Sequence, residues 1–162
     1  MAARQARFEE LIESHSGIVF RVVHSYYLRP EDRLDLAQEI RLQLWSAFPK
    51  FDEAKSFSTW MYKIALNVAI SWTRRAALRH RHSVPIDEIV DHASPASETH
   101  ELQVVHQMIR SLDAMNQALL LLYLEDLSYA EIGEVLGISA GNVGAKINRL
   151  KQRLREEANE QE

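Results

Sequence analysis

The sequence predicts an all-α protein made of two small helical domains joined by a flexible linker. Three observations carry that expectation. Apolar residues recur at helical spacing toward both ends of the chain, and no stretch alternates apolar and polar residues as a half-buried strand would. Between the ends, residues 82–94 lose periodicity, carry Pro85 and three acids, and read as a connector. The 162 residues are 46% apolar, enough for one ordinary core or two small ones, while five glycines and four prolines are too few for a turn-rich all-β chain.

Taken in order, the first helix runs through Phe8, Leu11, Ile12, Ile18, Val19, Val22, Val23 and Tyr26. It ends before Pro30, because a proline disfavours α geometry in the residue ahead of it. Pro30 then suits the first turn of a second helix, with Glu31 and Asp32 at its positive end. Leu34, Ala37, Ile40, Leu44 and Phe48 mark the buried side of that helix, which should stop near Pro49. Residues 50–55 form a polar loop. A third helix should follow from about Phe57 to His80, with Trp60, Ile64, Val68 and Trp72 at i, i+4 steps. Three amphipathic helices of this length close one bundle, over residues 1–81. The second domain, residues 95–162, should open at Ser94-Pro95, a cap followed by a first-turn proline. It continues with a helix to about Leu112, another over Ala114–Leu124, and two short helices.

Charge is distributed unevenly. The net charge is −4, which by itself argues against nucleic-acid binding, yet DNA responds to local charge rather than to the sum. Residues 1–81 hold 13 basic and 9 acidic side chains, and residues 82–101 hold none and 5. From Lys63 to Arg81 there are five basic residues and no acid, and residues 135–155 repeat that pattern. The absence of cysteine removes disulfides, thiolate metal sites and cysteine nucleophiles, and fits a reducing compartment. No apolar run approaches the roughly 20 residues that span a bilayer, so membrane insertion is not expected. The seven histidines include no H-E-x-x-H pair, so an all-α hydrolase is disfavoured; no catalytic residue, metal site or cofactor is expected.

The most informative stretch is residues 127–154. Ser128 and Glu131 have the spacing of a capping box. Ile132, Val135 and Leu136 make an inward face, Gly137-Ile138-Ser139 a turn, and Val143, Ile147, Leu150 and Leu154 anchor the next helix. Its other faces carry Asn142, Lys146, Asn148, Arg149, Lys151 and Arg153. A helix with a basic and amide outer face, held at a fixed angle to its neighbour, is the device that reads the major groove. Asparagine pairs bidentately with adenine, and arginine with guanine. In the second helix, Asp35, Gln38, Glu39 and Leu42 share one face, which suits docking onto another helix, although spacing alone favours a solvated surface.

Asp35-Leu-Ala-Gln-Glu39, Leu44-Trp45, Phe51-Asp52, Phe57-Ser-Thr-Trp60 and Ile64-Ala-Leu-Asn67 resemble region 2 of bacterial sigma-70-type RNA polymerase sigma factors. Residues 119–155 resemble their region 4, through Leu127-Ser-Tyr-Ala-Glu-Ile132 and Leu136-Gly-Ile-Ser139. Two such regions and a short linker, with no room for region 3, resemble the extracytoplasmic-function (ECF) group. The resemblance implies a sigma region 2 three-helix bundle and a sigma region 4 helix-turn-helix in a cytoplasmic alternative sigma factor with no enzymatic activity. Its partners would be core RNA polymerase, through the β′ clamp helices and the β flap, promoter DNA, and an anti-sigma factor as is common in the group.

Asp35, Gln38, Glu39 and Leu42 would dock on the clamp helices, and the leucine run of residues 118–124 would form core and part of the surface receiving the flap. The −10 element would meet Phe57, Ser58, Thr59, Trp60, Tyr62, Lys63, Asn67, Arg74 and Arg75, aromatic faces and cations suited to a flipped base. At the −35 element, Ser128 and Tyr129 would touch phosphates. Gly144, Ala145, Asn148 and Arg149 would face bases, with Asn142, Lys146 and Arg153 nearer phosphates. Two positions depart from the group. Primary sigma factors have a tryptophan pair where Lys63-Ile64 stands here, which implies weaker duplex melting. Many ECF members have a basic residue and a serine where Gly144-Ala145 stands, which leaves more of the specificity to Asn148 and Arg149. The competing expectation is a stand-alone helix-turn-helix regulator with a dimerising or sensing N-terminal bundle.

Overall fold

A computed structural model describes residues 1–26, 28–80 and 100–160. The expected connector at 82–94 and the expected helix start at Ser94-Pro95 lie outside the described residues. Among those described, eight α-helices and one 3₁₀ turn account for the regular structure. The helices are α1 (Ala2–Ser14), α2 (Ser16–Ser25), α3 (Pro30–Ala47), α4 (Phe57–His80), α5 (His100–Arg110), α6 (Ala114–Leu124), α7 (Tyr129–Leu136) and α8 (Ala140–Glu160). No helix among them is long and apolar enough to cross a membrane.

The single N-terminal helix expected from periodicity is two. His15 leaves helical geometry at φ −120°, and its backbone N–H is shared between the Leu11 and Ile12 carbonyls. Ser14 donates its hydroxyl to the Glu10 carbonyl. A run of Ser-His-Ser-Gly is weakly helical, since short polar side chains compete for backbone partners and glycine is costly to order. The heptad-like apolar pattern survives the break, which is why periodicity alone missed it.

In α3 the first turn is as expected, with Pro30, Glu31 and Asp32 at its start. Its buried row is Leu36, Ile40 and Leu44, with Phe48 in the 3₁₀ turn that follows. Leu34 is 67% exposed, contrary to its expected place on the buried side. Leu34 and Leu36 lie about 160° apart on a helix, and it is Leu36 that falls with Ile40 and Leu44 on the side facing the bundle.

The α4 boundaries agree with the sequence, but its packing does not. Of the expected row, Trp60, Ile64 and Val68 are only partly buried. The fully enclosed side chains are Met61, Ala65, Leu66 and Ala69. Tyr62, Leu66 and Ile70 form a further buried row at i, i+4 and i+8. The reason is that α4 packs against α2 and α3 and also against α6 and α7 of the C-terminal half. A helix contacted on several sides is apolar around most of its circumference. Consequently one continuous core runs from Ile18 and Val22 through Met61 and Leu66 to Leu119, Leu122, Ile132 and Ile147.

In the C-terminal half, α6 begins at Asp113, whose carboxylate accepts the Asn116 N–H at 2.8 Å. Ala118, Leu119 and Leu122 are enclosed, while Leu124 points outward. The last helix, expected to be short, has 21 residues and absorbs most of the acidic tail.

Candidate nucleic-acid and polymerase interface

The helix-turn-helix is built from local chemistry. Ser128 Oγ accepts the Glu131 N–H at 3.2 Å, and the Glu131 carboxylate accepts the Ser128 N–H at 2.8 Å, a closed capping box. Gly137 takes the left-handed conformation at φ 74° and ends α7 with its N–H on the Gly133 carbonyl. Ser139 Oγ then accepts the Asn142 N–H at 3.1 Å, capping α8. Gly133 was not singled out by its sequence context. A Cβ there would collide with the backbone carbonyl of Ile138, so its lack of a side chain is what lets the turn fold back on α7. A glycine four residues before the turn glycine was the signal available.

On α8, Val143, Ile147 and Leu150 are buried, leaving Asn142, Ala145, Asn148, Arg149 and Arg153 exposed. Gly144 is turned aside, for a Cβ there would sit 3.3 Å from the Tyr129 ring. It packs against Tyr129 of α7, one helical turn before Asn148 on the same flank of α8. Three of the basic side chains of α8 are engaged within the protein. The Lys151 ammonium lies 4.5 Å from the Tyr123 ring centre, Arg153 Nε pairs with Glu157 at 2.8 Å, and Arg149 Nε donates to the Ala145 carbonyl at 3.4 Å. Asn116, Lys146, Arg149 and Arg153 line a polar recess of about 200 Å³ between α6 and α8. Ser128 and Tyr129 are exposed at the start of α7.

The expected −10 residues fall into two sets. Lys63, Asn67, Arg74 and Arg75 are exposed along α4. Phe57, Thr59 and Tyr62, in contrast, are buried. Phe57 and Trp60 belong to an aromatic cluster with Phe48 and Phe51, with Phe51–Trp60 centroids 4.9 Å apart and Phe57–Trp60 5.3 Å. Their ring faces are spent on each other and on holding the loop before α4. Thr59 turns its hydroxyl to Ser56, which also accepts the Thr59 N–H and so caps α4. Ser58 is partly buried, its hydroxyl 3.0 Å from that of Ser56.

Tyr62 is 4% exposed because the C-terminal half covers it. Its hydroxyl donates to Glu125 Oε2 at 3.3 Å, and Arg21 Nη2 donates to the same hydroxyl at 3.4 Å. Arg21 Nε reaches that Glu125 oxygen at 3.1 Å. Burial pushes the Tyr62 phenol above its ordinary range, against the lowering effect of Arg21. A second bond crosses between the halves, from the Tyr26 hydroxyl to the Ala114 carbonyl at 2.9 Å. Burial, reinforced by the Asp113 charge, holds the Tyr26 phenol far above the ordinary value of 10.0.

On α3, Asp35, Gln38 and Leu42 are exposed, Leu42 by 61%, which is much for a leucine. Glu39 is partly buried and takes Arg75 Nη2 at 2.8 Å. This pair links the expected docking face to the basic stretch of α4. On the α2 side of α3, Phe20 and Leu34 stand exposed at a groove of about 400 Å³ between the two helices.

Comparison with known proteins agrees with the geometry. Residues 11–79 match the family model for Sigma-70 region 2, and residues 102–154 match that for Sigma-70, region 4. The ECF RNA polymerase sigma factor SigE of Mycolicibacterium smegmatis is 26% identical over 161 residues, 95% of this chain and 62% of that protein. The ECF RNA polymerase sigma factor SigW of Bacillus subtilis is 23% identical, covering 94% of this chain and 89% of that one. In three dimensions the chain is similar to the sigma factor RpoE solved with the anti-sigma factor NepR from Bartonella quintana. That likeness has a TM-score of 0.72 at 19% identity and covers 93% of this chain and 95% of that one, and it speaks to the fold.

Proposed function

The chain belongs to the sigma-70 family, with the two-region layout of its ECF group, and from that premise we propose that it is an alternative sigma factor. It binds core RNA polymerase in the cytoplasm and directs initiation at promoters that core alone ignores. The observation that carries this reading is the joint presence, in order, of both sigma regions with a closed helix-turn-helix in the second. The stand-alone regulator finds no support in the order and spacing of these parts.

The residue roles follow from exposure and chemistry. The exposed Asp35, Gln38 and Leu42, with Glu39 beside them, form the face that docks on the β′ clamp helices. Lys63, Asn67, Arg74 and Arg75 supply the cationic and amide track for the −10 strand. Ala145, Asn148 and Arg149 enter the major groove at the −35 element while Ser128 and Tyr129 hold a backbone phosphate. Asn142, Lys146 and Arg153 serve the phosphate side. An anti-sigma factor, the partner class seen with the structurally similar RpoE, is a further candidate partner.

The test is a run-off transcription assay with purified core polymerase on fragments of the native genome. Adding the protein should produce discrete transcripts that core alone does not make. If no fragment yields one and no complex with core forms on gel filtration, the reading is wrong.

A further inference from the structure

We propose that Arg21 and Tyr62 form a phosphate-binding site for the DNA strand, which the carboxylate of Glu125 occupies when the two halves are closed on each other. The inference rests on the sigma reading, which places the −10 strand along α4. Arg21 comes from α2 and Tyr62 from α4, 41 residues away, yet both converge on a single oxygen of Glu125. A guanidinium and a phenol are both donors, and together they suit an oxyanion. Here the oxyanion is a carboxylate lent by the other half of the chain. Phosphate has the same charge sign and acceptor chemistry, and arginine binds either in the same forked geometry.

The location fits a strand. Tyr62 directly precedes Lys63, about 100° around the helix from it. Lys63, Asn67 and Arg74 form an exposed row, and residues 63–81 carry no acid. Glu125 thus supplies the negative charge at a place where the N-terminal half has none of its own nearby in sequence. While it sits there, a phosphate cannot, so closure and DNA binding compete for one pair of donors. Arg21 was absent from the residues expected to meet DNA because its helix, α2, carries no motif of that kind.

The experiment measures binding of a fluorescein-labelled, mixed-sequence 20-nucleotide single strand to the full-length chain by anisotropy, over a series of salt concentrations. Glu125→Gln keeps the shape and removes the charge, and it should tighten binding about tenfold, in the range of ordinary coupling between sites. Arg21→Ala added to Glu125→Gln should abolish that gain and reduce the salt slope by about 0.7, the loss of one phosphate contact on a single strand. Arg21→Gln offers the same readout if the alanine variant melts early by circular dichroism. No tightening in Glu125→Gln overturns the competition. Tightening that persists without Arg21 overturns the phosphate site, because Glu125 would then act only as a latch. The wild-type run-off assay decides the sigma reading separately, so failure of one does not mimic failure of the other.

Discussion

Gly133 shows how much a single atom can decide in this fold. The residue is buried, and the carbonyl of Ile138 occupies the space its Cβ would need. A backbone group cannot swing away as a long side chain can, so the whole turn would have to shift. Gly133→Ala should therefore cost about 2–3 kcal/mol, the upper range for overpacking a tight site, and urea denaturation would measure it. The opposite outcome, a neutral substitution, would mean that α7 and the turn have more play than the geometry allows. At Gly144 a Cβ would lie 3.3 Å from the Tyr129 ring, tighter than ordinary contact, but the neighbour there is a side chain that can give way. The two glycines are 11 residues apart in one helix-turn-helix, and only their neighbours in space separate the rigid site from the adaptable one. Residue identity names a freedom; the neighbour says whether it is used.

At the scale of elements, α7 depends on its cap. The helix has only 8 residues, too short to persist on propensity alone, and both ends are closed by side-chain or left-handed caps. Ser128→Ala should lower stability by about 1 kcal/mol, and Ser128→Asp should retain most of it, as compared by urea midpoints. If alanine and aspartate behave alike, the box contributes nothing. This element was legible in the sequence down to the individual hydrogen bonds, because capping is local chemistry between residues three apart. So were the start of α3, the bounds of α4 and those of α6. The α1–α2 break was hidden because the apolar repeat continues across His15 while the backbone does not. Leu34 was misplaced because Leu34 and Leu36 point to nearly opposite sides of α3, and only their neighbours in space show that Leu36 is the one that joins Ile40 and Leu44. For Phe57, Thr59 and Tyr62, residue type carried no information about what would cover them.

For the whole molecule, the governing fact is that the halves share one core. Their seam is marked by two tyrosines whose phenols are held in the neutral form. A folded pKa raised above the unfolded one adds stability that is complete below the ordinary phenol value of 10.0 and is lost progressively as pH rises from there toward the raised folded value. Melting temperature should thus begin to fall near pH 10.0 and keep falling at higher pH, and Tyr26→Phe should flatten that fall while lowering stability at neutral pH by about 1 kcal/mol for the lost bond to Ala114. An unchanged alkaline slope in Tyr26→Phe would assign the loss to other groups. The charge distribution takes on meaning at this scale as well. A net charge of −4 is compatible with a DNA-binding role because the acids cluster apart from the basic stretches, and one of them, Glu125, closes onto the N-terminal half.

The continuous core also bears on how long such a chain lasts. Whatever draws the halves apart wets the apolar flank of α4 and the surfaces of α6 and α7 that lay against it. Newly exposed apolar surface and loosened backbone are what cellular proteases engage, and degradation follows the population of the open form. A chain opened without a partner to cover that flank should be degraded faster than a closed or an engaged one. Its abundance would then report whether polymerase is available to receive it, a form of supply control written into packing alone.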